Sequence, residues 1–69
     1  MKITKRLYNL KKGTTLAFTW GMVELTSEYN ENKDTYDYVE LEINEDGDLV
    51  ATEKTGTLCP VDLIGAEIF

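Results

Sequence analysis

At 69 residues the chain forms one domain at most, and a domain of that size buries only about 60% of the surface its unfolded chain exposes, so every core side chain counts. Hydrophobic residues make up 42% of it, with one Trp, four Tyr and two Phe; that is enough for a compact core and unlike a disordered chain, despite a net charge of minus 6. A single cysteine, Cys59, excludes an internal disulfide, and the lack of histidine removes Ser-His, Cys-His and His-metal chemistry together.

The charge is unevenly spread. Residues 1 to 12 hold Lys2, Lys5, Arg6, Lys11 and Lys12 and no acid, whereas residues 24 to 48 hold ten acids against Lys33 alone. The chain reads as a basic arm followed by an acidic body. Within the arm, Ile3, Leu7 and Leu10 match helical spacing with Gly13 as a C-cap, while KITKRLY reads equally as an edge strand.

The five glycines, at 13, 21, 47, 56 and 65, cut the chain into short pieces, as in an all-β domain. TTLAFTW sets Leu16, Phe18 and Trp20 on one face, and Gly21 reads as a bulge or sharp bend in a continuous run. MVELTSEY alternates, with Val23, Leu25 and Tyr29 inward and Glu24, Thr26 and Glu28 outward. It is expected to pair with residues 36 to 43 across the polar loop NENKDT.

In TYDYVELEINEDGDL the period of two places Val39, Leu41 and Ile43 on one face, assigned inward, and Tyr36, Tyr38, Glu40 and Glu42 on the other, assigned outward. A three-residue turn Glu45-Asp46-Gly47, with Gly47 left-handed, sets Ile43 opposite Leu49 and Leu41 opposite Ala51. TLCPVDLIGAEIF then predicts one helical turn near Pro60 to Leu63 and a final strand. The expected fold is all-β: a small five- to six-stranded antiparallel sheet, or a barrel, with one short helical turn near the C-terminus. The opening LKKGTTLAF, a long bent strand, an acidic hairpin, a short turn and a last strand resemble the order of elements in SH3-like small barrels.

No motif for catalysis stands out. Cys59 beside Pro60 has no activating base and reads as a small buried residue. Glu40 and Glu42 lie about 6.8 Å apart along a strand, a spacing within the range of inverting glycosidase carboxylates, but so small a domain has little room for a sugar cleft. Asn30, Asn32 and Asp34 fall at the first three ligand positions of a calcium loop, yet Thr35 stands where that loop needs Gly and Leu41 where it needs Glu. Stacking on Tyr36 and Tyr38 would suit single-stranded nucleic acid; their carboxylate neighbours repel phosphate.

The acidic run serves solubility at the least. A further use is indicated by register, since either face-preserving pairing of residues 22 to 29 with 36 to 43 sets Glu24 against Glu40 or Glu42, at a cost of a few tenths to about 1 kcal/mol. In size, acidity and sheet-borne carboxylates, the segment VELTSEYNENKDTYDYVELE is similar to the acidic DNA-mimic inhibitors encoded by phages and mobile elements: anti-CRISPR proteins, anti-restriction proteins and uracil-DNA glycosylase inhibitors. The lone cysteine fits a cytoplasmic origin better than a secreted one, and the resemblance implies a non-enzymatic inhibitor without cofactor or bound metal, acting in the cytoplasm of the host cell if phage-encoded. Its partner would be a basic nucleic-acid-binding protein, with no direct binding of nucleic acid or membrane, and the chain a monomer or homodimer. The partner-binding residues expected are Glu24, Glu28, Glu31, Asp34, Tyr36, Asp37, Tyr38, Glu40, Glu42, Glu45, Asp46 and Asp48. The alternative is a small structural or adaptor subunit that completes a larger assembly by strand addition.

Overall fold

Thr15–Phe18 (β1) and Gly21–Leu25 (β2) form a hairpin closed by Thr19 and Trp20, with Phe18 directly opposite Gly21. The computed structural model, which describes residues 1–69, continues with Tyr36–Ile43 (β3), Leu49–Leu58 (β4), a 3-10 turn at Pro60–Leu63, and Glu67–Ile68 (β5). All neighbouring strands are antiparallel, in the order β4-β3-β2-β1-β5. The fold is thus all-β with five strands, and the helical turn lies where the proline segment predicts it. The order of elements expected of an SH3-like barrel is kept, but β4 and β5 do not meet and the sheet stays open. Gly21 begins the second strand of a tight hairpin and is not a corner within one long strand.

One face of this sheet is covered and the other is open. The cover is the N-terminal arm together with the 3-10 turn, which bring Ile3, Leu63 and Ala66 against Leu16, Val23, Leu25, Tyr36 and Leu58. The arm forms no helix. Met1 to Ile3 run along β5 as an edge, with Ile3 N–H donating to Ala66 O (2.8 Å) and Ile68 N–H to Met1 O (2.8 Å). Beyond Ile3 the arm is an irregular strap that lays Leu7 and Leu10 on the core. Apolar side chains three and four residues apart are therefore anchored here without a helix, Ile3 within the core and Leu7 and Leu10 against it.

The strap decides which face of β3 is inside. Tyr36 is fully buried; its hydroxyl donates to Leu7 O (2.9 Å) and accepts from Leu10 N–H (3.3 Å), so the polar end of the ring is satisfied by the strap backbone. Burial pushes the Tyr36 phenol up from its ordinary pKa, against a smaller downward pull from the Leu10 amide. The outward assignment of Tyr36 and Tyr38 is therefore reversed, and with it the inward assignment of Leu41 and Ile43; Val39 is buried as expected, but on the face opposite Tyr36. In the observed register Leu25 pairs with Tyr38, Val23 with Glu40 and Glu24 with Val39. A slip of one residue relative to the expected pairing exchanges the faces of the whole strand. Val39, Leu41 and Ile43 lie on the face turned away from the strap, with Met22 and Ala51; Val39 is buried there among its sheet neighbours, Leu41 is half-buried and Ile43 is 69% exposed.

The hairpin turn follows the expected register in full. Ile43 stands opposite Leu49 and Leu41 opposite Ala51, and Gly47 has φ +84. Asn44 Oδ1 accepts from the amides of Asp46 and Asp48, both at 2.9 Å, which closes a three-residue loop. Further along β4, Thr52, Glu53 and Lys54 together face Glu40 alone, a bulge fixed by Thr52 Oγ1 donating to Glu40 O at 3.0 Å and accepting from Lys54 N–H at 3.1 Å. Since β2 reaches only as far as Met22 opposite Leu41, the last residues of β3 and the first of β4 have no neighbours but each other. They form a two-stranded ribbon at one end of a molecule 37 Å long.

Candidate functional site

The ribbon and its bulge, residues 40 to 54, carry Glu40, Glu42, Glu45, Asp46, Asp48 and Glu53 against Lys54 alone. The molecule has two ion pairs, the Met1 amino group with Glu67 at 3.5 Å and Lys11 with Glu28 at 4.0 Å, and neither involves the ribbon. Its carboxylates are unpaired. Nor does the basic strap screen the outer ones from a distance, since it crosses β3 at Tyr36, about 13 Å from Glu40 but about 20 Å from Glu42 at the rise of a strand. The longer distance is more than two Debye lengths at physiological salt, where one is about 8 Å. A shallow open depression beside the bulge is lined by Glu40, Glu42, Thr52, Glu53 and Lys54 with Leu41 and Ala51.

The twelve residues expected to bind a partner do not form one surface. Glu40 and Glu42 share the covered face of the sheet; Glu40 is half-buried beside the fully buried Val23 it pairs with, and Glu42, beyond the last pairing of β2 with β3, is exposed. Glu45, Asp46 and Asp48 are exposed in the turn beyond them. Glu24 and Asp37 lie on the opposite, open face, so the expected opposition of Glu24 to Glu40 or Glu42 does not exist; Glu24 faces Val39. Glu28, Glu31 and Asp34 sit in the β2–β3 loop at the far end of β3. Tyr36 is not at the surface at all, and Tyr38 is half-buried with its ring against the core.

The β2–β3 loop is held by its own hydrogen bonds. Asn30 Oδ1 accepts from Asn32 N–H (3.0 Å) and Lys33 N–H (3.3 Å), and Asp34 takes a left-handed backbone, φ +57, which aspartate tolerates. Tyr29 donates its hydroxyl to Asp34 Oδ1, and this bond, followed by desolvation and the Asp34 charge, pushes the Tyr29 phenol up to about 12. Cys59 is half-buried rather than buried, and its amide donates to Asp62 Oδ2 at 3.0 Å across the 3-10 turn.

Sequence reasoning passed over Trp20 as a surface residue. Alternation alone groups it with Leu16 and Phe18, but it lies in the connection between β1 and β2 and is 54% exposed, with one ring face stacked on Phe18 at 4.9 Å. The signal available was Gly21 directly after it, which marks the start of a new strand. Glu53 and Lys54 join the site for a comparable reason, because the bulge that presents them has no sequence signature. No helix is long and apolar enough to cross a membrane. Comparisons of the chain with protein-family models, with curated proteins and with solved structures find no match.

Proposed function

We propose that the chain is a non-enzymatic inhibitor that places its acidic β3–β4 ribbon in the basic nucleic-acid-binding surface of a nucleic-acid enzyme, such as a CRISPR effector or a DNA repair or restriction enzyme, and so excludes the substrate. The observation that carries this reading is the set of six unpaired carboxylates at the β3–β4 end of the sheet, four of which, Glu42, Glu45, Asp46 and Asp48, lie on the ribbon that projects beyond β2. Glu40 and Glu42 recur at about 6.8 Å along one face, a spacing comparable to that of successive phosphates, and a concentrated negative field of this kind raises association rates with a basic partner. The contacting set is Glu40, Glu42, Glu45, Asp46, Asp48 and Glu53. Glu24, Asp37, Glu28, Glu31 and Asp34 add to the long-range field from other faces.

The test is capture of partners from a host lysate on the immobilised chain, with and without nuclease, followed by competition between the chain and nucleic acid for the recovered enzyme. Binding should weaken steeply with salt and be lost in the Glu40→Lys/Glu42→Lys double variant while the circular dichroism spectrum is kept. Undiminished binding by that variant sinks the reading. A second reading, an adaptor that adds a strand to a larger assembly, draws on one observation: β4 is paired only with β3, so its other edge is free along Leu49–Leu58. It calls for binding that is indifferent to salt and destroyed by proline on that edge.

A further inference from the structure

Trp20 is the single tryptophan of the chain, and it is not hidden. One ring face lies on Phe18, centroids 4.9 Å apart and planes within 15°. Tyr38 is tilted beside it at 6.4 Å and 52°. Tyr38 in turn lies over the backbone of its cross-strand partner Gly56, where a Cβ would stand 2.6 Å from the phenol oxygen. The rings make an aromatic shelf where the cover of the core ends.

Carboxylates adjoin this shelf. Glu40 and Glu42 continue the face of Tyr38 at intervals of about 6.8 Å. The pairing of Met22 with Leu41 brings the connection that carries Trp20 level with Glu42 and Ile43. Neither glutamate has a cation within 4.0 Å. Exposed indole, a phenol held in place and two unpaired carboxylates suit a planar cation, which stacks on the indole while its N–H groups engage a carboxylate.

We propose that Trp20 and Tyr38, with Glu40 and Glu42, form a docking site for an arginine side chain of a basic protein partner. The inference rests on the reading that the partner is basic and names the anchor within that surface. Arginine is preferred to lysine because a guanidinium stacks and pairs in a plane, whereas an ammonium acts as a hydrated point charge. An exposed aromatic residue fits the role of anchor, since Trp, Tyr and Arg dominate binding energy at interfaces.

The single tryptophan makes the test direct. The wild-type chain is titrated with an oligoarginine peptide and with an oligolysine peptide of equal length at low salt, following Trp20 emission and, separately, the heat of binding. Oligoarginine should change Trp20 emission saturably and bind several-fold tighter than oligolysine. Trp20→Ala should weaken it by about 2- to 30-fold, the range of a cation–π contact. Because Trp20→Ala removes a ring from Phe18, Glu40→Gln/Glu42→Gln serves as the second variant: it keeps the emission of the free chain and should reduce oligoarginine binding. Oligoarginine binding with Trp20 emission unmoved, or equal affinity for both peptides, overturns the arginine site. If that charge-only binding is also lost on reversing Glu40 and Glu42 to lysine, the acidic-ribbon reading stands without it. Failure of both peptides to bind at low salt overturns both.

Discussion

Replacing Gly56 with alanine tests how the aromatic shelf is held. Gly56 pairs directly with Tyr38, and a Cβ at this position would lie 2.6 Å from the Tyr38 oxygen, 2.8 Å from Cζ and 3.0 Å from Cε2. Ordinary carbon contacts begin at about 3.5 Å. Because successive ring atoms are all too close, moving the hydroxyl alone gives no relief; the ring must lift off the strand, away from its place beside Trp20. Overpacking of this kind costs roughly 1–3 kcal/mol, offset in part by the roughly 0.4–1 kcal/mol that removing a glycine recovers from the unfolded chain. A net loss of about 1–2 kcal/mol corresponds to a fall in Tm of about 5–15 °C in a domain this small. Thermal melts of Gly56→Ala, Tyr38→Ala and the double variant measure it as a cycle. Once Tyr38 is cut back, Gly56→Ala meets no obstacle and keeps only the unfolded-chain gain of about 0.4–1 kcal/mol, so the coupling between the two sites equals the overpacking cost, about 1–3 kcal/mol. A coupling below about 0.5 kcal/mol would refute the claim that the ring rests on the glycine.

Tyr36→Phe keeps the ring in the core but removes its hydrogen bonds to Leu7 O and Leu10 N–H. It should cost about 1–2 kcal/mol and, by hydrogen exchange, loosen the strap before the sheet; protection of the strap unchanged from wild type would count against its being pinned there. Tyr29, pushed up to about 12 chiefly by its bond to Asp34, should appear as a late step in the tyrosinate absorbance titration. That step should move down towards 10 in Asp34→Gly, where glycine accepts the left-handed backbone. The phenol keeps its proton longer in the folded chain than in the unfolded one. Its contribution to stability is therefore complete below about pH 10 and is lost as pH rises towards the folded value of about 12. A urea midpoint in Asp34→Gly that falls across this window as steeply as in wild type would contradict the assignment.

The turn of the β3–β4 hairpin was legible in the sequence because Asp46-Gly47 fixes a local geometry, and a local geometry fixes which residues stand opposite one another. The same holds for β2, where apolar Val23 and Leu25 alternate with Glu24 and Thr26 and leave one reasonable inner face. β3 has no such asymmetry. Its odd positions hold Val39, Leu41 and Ile43 and its even positions Tyr36 and Tyr38, so both faces present large side chains and alternation says only which residues go together. The choice between them is made by Leu7 and Leu10, about thirty residues away, whose backbone satisfies the Tyr36 hydroxyl and so removes the cost of burying it. Nothing in the spacing of the strand reports a hydrogen bond supplied from the other end of the chain.

That reversal changes the support for the function more than it changes the fold. Repulsion between Glu24 and Glu40 or Glu42 was the sequence argument that the charge has a use, and with Glu24 facing Val39 on the other side of the sheet no such repulsion is stored. Position replaces it. The cover of the core ends near Tyr38 and Trp20, the pairing of β2 with β3 ends at Met22, and only β3 and β4 continue, so Glu40 stands at the margin of the domain and Glu42 is carried past it with the turn acids beyond. A charge that served solubility alone would act as well on any exposed edge, and mixed signs would serve it better. Here five acids of one sign follow from Glu40 to Asp48 with no cation among them, on the part of the sheet with the fewest neighbours. They begin beside the exposed indole of Trp20, where a binding surface gains both a long-range field and an aromatic contact at short range.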